Sequence, residues 1–288
     1  MDASVSEPPT ARAVTVSVVI DGRLDAARAR QVATLVGRLG LGGVWLRQPW
    51  WPLTTPAMSE ADTASLLGWL AASTPVRTGL VVDADRTDPA SLDRMAVAGG
   101  ISIALSGAPA SVARWQPLFA RGLTTRGPGT AVTELALPVP AAAPATAVFL
   151  PCSPARDLAS ELTELTEVTA GTAIATGRPV LAEVPVSVGR TVAEAQARAD
   201  ADDLFMLTGH PAAQGLFGTL EECQATAARL AHAGVTELLC YLPLASDLAD
   251  ILAQLRSIAI GASVLRPGEP PSAAPPPPDG WGGRRVEA

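Results

Sequence analysis

The stretch LPCSPAR, residues 150–156, carries the residue types best suited to gripping an anion. Ser153 is placed to cap a helix whose first position is Pro154, so free backbone N–H groups and the positive end of the helix dipole can meet a phosphate there. Arg156 adds a charge-assisted contact. The other reading of the same residues is an ordinary helix cap with a surface arginine, and Cys152 beside them is either a reactive thiol or a small buried hydrophobe. A second stretch, GVWLRQPWWPL at residues 43–53, begins as a buried strand and ends in Gln48, Trp50 and Trp51. Indoles offer flat surfaces on which a planar ring can stack; they can equally plug an open end of a fold or line a subunit interface. Ser106 and Gly107 follow a third apolar run, and Asp21, Arg47, Asp83 and Asp85 sit at the ends of others.

Several kinds of chemistry are excluded by what is missing. All 21 basic residues are arginine, so neither a Schiff-base lysine nor a P-loop lysine is available. A net charge of −7 with no basic stripe makes nucleic acid a poor partner, because its binding rests on neutralising phosphates. Cys152, Cys223 and Cys240 lie far apart with no CxxC pair, which argues for a reducing compartment and against a disulfide framework or a zinc site. His210 lies on a loop and reads as structural or exposed, and His232 ends a helix where its charge complements the dipole. No Ser/His/Asp arrangement and no metal-ligand spacing is present. With no signal-peptide pattern and no long apolar run, a soluble cytoplasmic protein is expected, free of membrane.

The elements that must position these residues alternate between short apolar runs and segments of helical period, the signature of βαβ units around a parallel sheet. Strands are predicted at 14–20, 44–47, 76–83, 101–105, 146–150 and 179–188, with a last one at 236–243. The sixth strand is the least defined and falls at 165–169. Helices are predicted after most of them: from Asp25, from Ser59 as N-cap with Asp62 in the first turn, at 88–99, a broken one at 111–123, and then at 192–207, 220–233 and 247–260. Residues 131–137 also read as a strand. Parallel neighbours need a crossover of about a dozen residues, so this segment is assigned to an insertion. The expected fold is an α/β chain of the (β/α)8 barrel type over residues 12–263, flanked by disordered tails at 1–11 and 264–288. The second tail is Pro/Gly-rich, and its run Pro275 to Pro278 is either a polyproline ligand or simply solvated chain. In such a barrel chemistry sits at the C-terminal ends of the strands, where the residues named above collect.

Three stretches, RLGLGGVWL, GRPVLAEVPVSVGRTVAEAQARADAD and GLFGTLEECQATAARLAHAGVTELLCYLP, together resemble the luciferase-like monooxygenase superfamily of flavin- and deazaflavin-dependent barrel oxidoreductases. TPVRTGLVV and DRMAVAGGISIALSG are similar to its third strand and its Gly-Gly turn into the fourth. The resemblance implies a (β/α)8 barrel with a shortened insertion after strand four, spanning residues 106–145. It also implies a reduced flavin (FMN) or the deazaflavin coenzyme F420 across the mouth, a small organic substrate that is oxygenated or exchanges a hydride, and a homodimer. The cofactor would meet Gln48, Trp50, Ser106, Gly107, Cys152, Ser153 and Arg156, its phosphate near Ser153; no catalytic residue is assigned. Arg47, Gln48 and Pro49 stand where the family usually carries an acid and a histidine, and Ile101 where many members carry an arginine. The alternative is a degenerate barrel that binds no flavin and serves as an accessory or partner-binding subunit; a barrel recruited to non-redox chemistry is a third reading.

Overall fold

The structure, a computed structural model, describes residues 14–48, 59–73, 76–89, 100–122, 131–137, 146–152, 178–244 and 247–264. Its strands are β1 (Thr15–Ile20), β2 (Gly43–Gln48), β3 (Arg77–Asp83), β4 (Gly100–Ser106), β5 (Ala131–Leu137), β6 (Ala147–Leu150), β7 (Val180–Val188), β8 (Leu216–Gly218) and β9 (Glu237–Tyr241). The helices are α1 (Ala26–Leu39), α2 (Glu60–Ser73), α3 (Pro109–Gly122), α4 (Val192–Asp200), α5 (Leu204–Thr208), α6 (Pro211–Gln214), α7 (Leu220–His232) and α8 (Leu248–Val264).

Every strand pairing is parallel. β1 to β6 pair in sequence, β6 pairs with β7, β7 with β9, and β9 with β1. Those contacts close a ring of eight strands, the barrel expected from the βα alternation; the short β8 is added to the outer end of β7. Two faces result from strand alternation. One set of side chains, among them Val18, Leu46, Leu80, Ile103 and Val184, packs outward against the helices. The other, among them Val19, Trp45, Val81, Ala104, Phe149, Leu181 and Leu239, fills the barrel.

Helix ends follow the sequence signals closely. Asp25 accepts from the Arg28 N–H and Gly40 closes α1 at φ 65°. Ser59 and Asp62 exchange hydrogen bonds across the first turn of α2. Thr219 and Glu222 form a reciprocal capping box at α7. The helix expected to run from 192 to 207 instead pauses at residues 201–203, and the one expected to be broken over 111–123 is continuous over Pro109–Gly122.

The main correction concerns strand count. Residues 131–137 are not part of an insertion but the fifth stave, paired with β4 on one side and β6 on the other. The segment at 146–150 is therefore the sixth stave, not the fifth. The crossover rule misled because it assumes that neighbours overlap along their whole length. Here β5 and β6 share only Ala136↔Ala147 and Leu137↔Val148, so the chain leaving β5 returns almost where it left. What was read as an insertion over 106–145 reduces to a connection at 107–130 that carries α3. The sixth strand expected at 165–169 lies outside the described residues, and the ring closes without it. The helix expected at 88–99 lies outside them beyond Pro89, as do both tails up to Ala13 and from Leu265.

The lower half of the barrel is packed around one large residue. Trp45 is fully buried, and its register partner on β3 is Gly79. A Cβ at Gly79 would stand 2.2 Å from the indole. Glu237 closes the same end, accepting from Trp45 Nε1 at 3.1 Å and Ser17 Oγ at 2.6 Å, and pairing with Arg77. Gly79→Ala is expected to cost about 1–3 kcal/mol through overpacking. The check is a urea titration, in which the midpoint should fall at unchanged m-value; an unaltered midpoint would mean that the indole has room to shift.

Candidate active site at the barrel mouth

At the C-terminal ends of the strands the barrel interior turns polar. Arg47 on β2, Glu183 on β7 and Tyr241 on β9 all point inward by alternation with Trp45, Leu181 and Leu239. Glu183 joins them. Its Oε1 takes the Arg47 guanidinium and the Tyr241 hydroxyl, the latter at 2.6 Å, and its Oε2 accepts the Cys152 backbone N–H at 3.0 Å. Side-chain exposure is 3% for Arg47 and 0% for Glu183, so this is an ion pair held out of water. Burial by itself opposes the charge on Arg47, but Glu183 and Tyr241 outweigh it and raise its pKa. Burial, with Glu183 adding to it against Arg47, pushes Tyr241 well above its ordinary value, so its hydroxyl stays protonated and donates.

Arg47 was visible in the sequence as a mouth residue. Glu183 and Tyr241 were not, although each left a trace: Glu183 is the lone charge in the apolar run VLAEVPVSV, and Tyr241 is the only tyrosine of the chain.

The expected cofactor-binding residues are dispersed differently. Gln48, next to Arg47, falls by alternation on the outer face with Leu46; it is buried, and its Oε1 has no hydrogen-bond partner among the described residues. Ser106 faces inward and its hydroxyl donates to the Val82 carbonyl at 3.3 Å. Gly107 forms the turn into α3 at φ 127°, packed against Asp85, whose carboxylate accepts the Ala108 N–H. Hydrogen bonding from Ser111 first, and then from the Ala108 backbone, holds Asp85 below the ordinary carboxylate range. Cys152 is buried, and its thiol donates to the Thr208 carbonyl at 2.7 Å. Trp50, Trp51, Ser153 and Arg156 lie outside the described residues.

Across the β1, β7 and β9 side of the mouth lies the chain that follows β7. Leu204 and Phe205 enter the inner cluster with Cys152, Phe149 and Tyr241. Arg23, just after β1, ties that segment down: its Nη1 donates to Asp202 at 2.5 Å, its Nε to Asp21 at 2.7 Å, and its Nη2 to the Leu242 carbonyl at 3.0 Å. Beneath it is a cavity of about 10 Å³ lined by Val19, Asp21, Leu24 and Leu242, room for about one water. His210 is buried in the same segment. Its Nδ1 accepts the Ala212 N–H at 3.1 Å, which leaves the proton of the neutral ring on Nε2, 3.6 Å from Asp200. Among the described residues no helix is long and apolar enough to cross a membrane.

Two outcomes follow from these contacts. Arg47→Met leaves a buried carboxylate unpaired and Glu183→Gln a buried guanidinium, each costing about 3–5 kcal/mol, while the double variant should cost clearly less than their sum. Strictly additive losses in urea unfolding would contradict the pairing. For His210, burial lowers its pKa below 6.5 and outweighs the opposing pull of Asp200. A folded-state pKa below the unfolded one gives stability that is complete above pH 6.5 and declines as the pH falls through the folded value. In thermal melts from pH 7.5 to 5, His210→Gln should lose part of that acid slope.

No family model matches the chain, and no curated protein does. Solved structures do. The monooxygenase RslO1 from Streptomyces bottropensis superposes with a TM-score of 0.61 at 13% identity, over 86% of this chain and 98% of that one. An F420-dependent secondary alcohol dehydrogenase, in complex with an F420-acetone adduct, gives 0.61 at 11% identity, over 87% and 99%. The coenzyme F420-dependent tetrahydromethanopterin reductase from Methanopyrus kandleri gives 0.59 at 12%, over 86% and 98%. At these identities the likeness is one of fold, and it covers the whole barrel: the chain shares the (β/α)8-barrel fold of these enzymes.

Proposed function

We propose that the chain is a luciferase-like oxidoreductase that binds a reduced flavin or deazaflavin at the β2 to β6 side of its barrel mouth and applies it to a small organic substrate. The observation that carries this reading is the fold likeness, end to end, to a monooxygenase and to two F420-dependent enzymes. The local residues are compatible with such a ring. Trp50 would supply a stacking face, Ser106 and Gly107 a close backbone approach, and Ser153 and Arg156 the phosphate end, whereas the Cys152 thiol is engaged by the Thr208 carbonyl.

When bound, the cofactor supplies the hydride or the reduced ring that reacts with oxygen, and the protein positions and screens it. The chain's own contribution is a rigid floor. Glu183 holds a guanidinium and a phenol in fixed orientation below the mouth, and their burial keeps water away from that side. Fixed dipoles in a dry site need no reorganisation when charge develops above them.

The rival reading, a barrel without cofactor that serves as an accessory subunit, is favoured by one specific feature. Arg47, the charge at the end of β2, is engaged by Glu183 inside the barrel, and Gln48 lies on the outer face of its strand. A tryptophan-fluorescence titration separates the two, using oxidised and reduced FMN and coenzyme F420 with the native protein and with Ser153→Ala. Saturable quenching at micromolar ligand, weakened roughly tenfold by Ser153→Ala, is expected, one hydrogen bond to a charged group amounting to about 1.5 kcal/mol or more. No binding of any of them to protein that circular dichroism reports as folded would leave the accessory barrel in front.

A further inference from the structure

We infer that residues 199–214 form a latched cap over the β1/β7/β9 side of the barrel mouth, which opens as a local unit and uncovers Cys152 and Glu183 while the barrel stays folded. The segment differs from the rest of the interior in how it is held. The eight staves are fixed by continuous backbone ladders, whereas the cap meets the mouth through side chains and a few isolated bonds. Ala199, Leu204 and Phe205 insert into the inner cluster, and the Thr208 carbonyl receives the Cys152 thiol. α5 spans only five residues and α6 only four, too short to be stable without the surface below them.

Asp202 is the latch. One carboxylate oxygen takes the Arg23 guanidinium and the Leu204 N–H, and the other accepts the Leu244 N–H at 2.9 Å. Arg23 in turn reaches Asp21 and the Leu242 carbonyl. Two charged side chains thus join the loops after β1, β7 and β9 at one point. Gly209, at φ 90°, and Gly215 flank α6. Gly209 stands in a region of backbone space open chiefly to glycine, which permits a sharp change of direction there.

The consequence is a division of the mouth. Its β2 to β6 side lies outside the cap, while on the other side any ligand that reaches Glu183 or Tyr241 must first displace Leu204 and Phe205. The cap lies on the side of the mouth away from the proposed cofactor site and its test needs no cofactor, so the two stand or fall separately.

The three cysteines provide the test. Cys152 lies under the cap, whereas Cys223 and Cys240 are fully buried between α7 and β9, away from it. The full-length protein is reacted with N-ethylmaleimide without denaturant, and modification is followed separately for each cysteine by peptide mass spectrometry. In the native protein Cys152 should react at least tenfold faster than Cys223 and Cys240. Asp202→Asn and Arg23→Gln should each accelerate Cys152 a further tenfold or more without changing the other two. The inference is overturned if all three cysteines of the native protein react at one common rate, which would mean global unfolding. It is equally overturned if the latch variants leave Cys152 unchanged or accelerate all three together.

Discussion

The upper half of this barrel depends on one carboxylate. Glu183 sits where β7 leaves the barrel core, and it binds three donors from three different elements: a guanidinium from β2, a phenol from β9 and a backbone N–H just after β6. A charge so fully buried is tolerated only when its partners are close and its oxygens are satisfied. That requirement fixes the relative positions of β2, β6, β7 and β9 more narrowly than apolar packing would, because a hydrogen bond fails over a few tenths of an ångström while a methyl contact merely loosens. Tyr241 and Arg47 are locked in turn, and the ring of Tyr241 lies 6.0 Å from the Arg47 guanidinium carbon.

The same device recurs at the other end. Glu237 gathers Ser17, Trp45 and Arg77 at the N-terminal mouth. A barrel of eight parallel strands has two open ends and an interior that side chains must fill. Here the middle is filled by apolar residues, and each end by a carboxylate with an arginine. The position of the cap follows from this arrangement. Phe205 and Leu204 cover the edge of the upper network, and the Arg23 to Asp202 pair keeps them there. Ion pairs thus order the barrel from end to end and also set which part of its mouth is closed.

Much of the framework was legible because it is encoded locally. The apolar run Val14 to Ile20 and the Ser59 and Asp62 pair are signals read over four to seven neighbouring residues, and each is realised where expected. The fifth stave was misplaced for a reason that is not local. Whether nine residues suffice to connect two parallel strands depends on how far the strands overlap, and the stagger of a closed barrel decides that. Glu183 was passed over because an acid in an apolar run means nothing until its strand is closed against β2. Cys152 was singled out for its place next to an anion-binding pattern, yet its contacts are with Glu183 and Thr208.

By itself the sequence determined the class of fold, the parallel sheet, the helix caps and the absence of lysine chemistry, since these follow from composition and from periodicity along the chain. Only the tertiary structure decided which charges meet. Arg47 and Glu183 are 136 residues apart and Arg23 and Asp202 are 179 apart, separations at which no pattern in the chain relates one residue to another. Closing the ring brings them together, and the low-dielectric interior then makes each pairing obligatory.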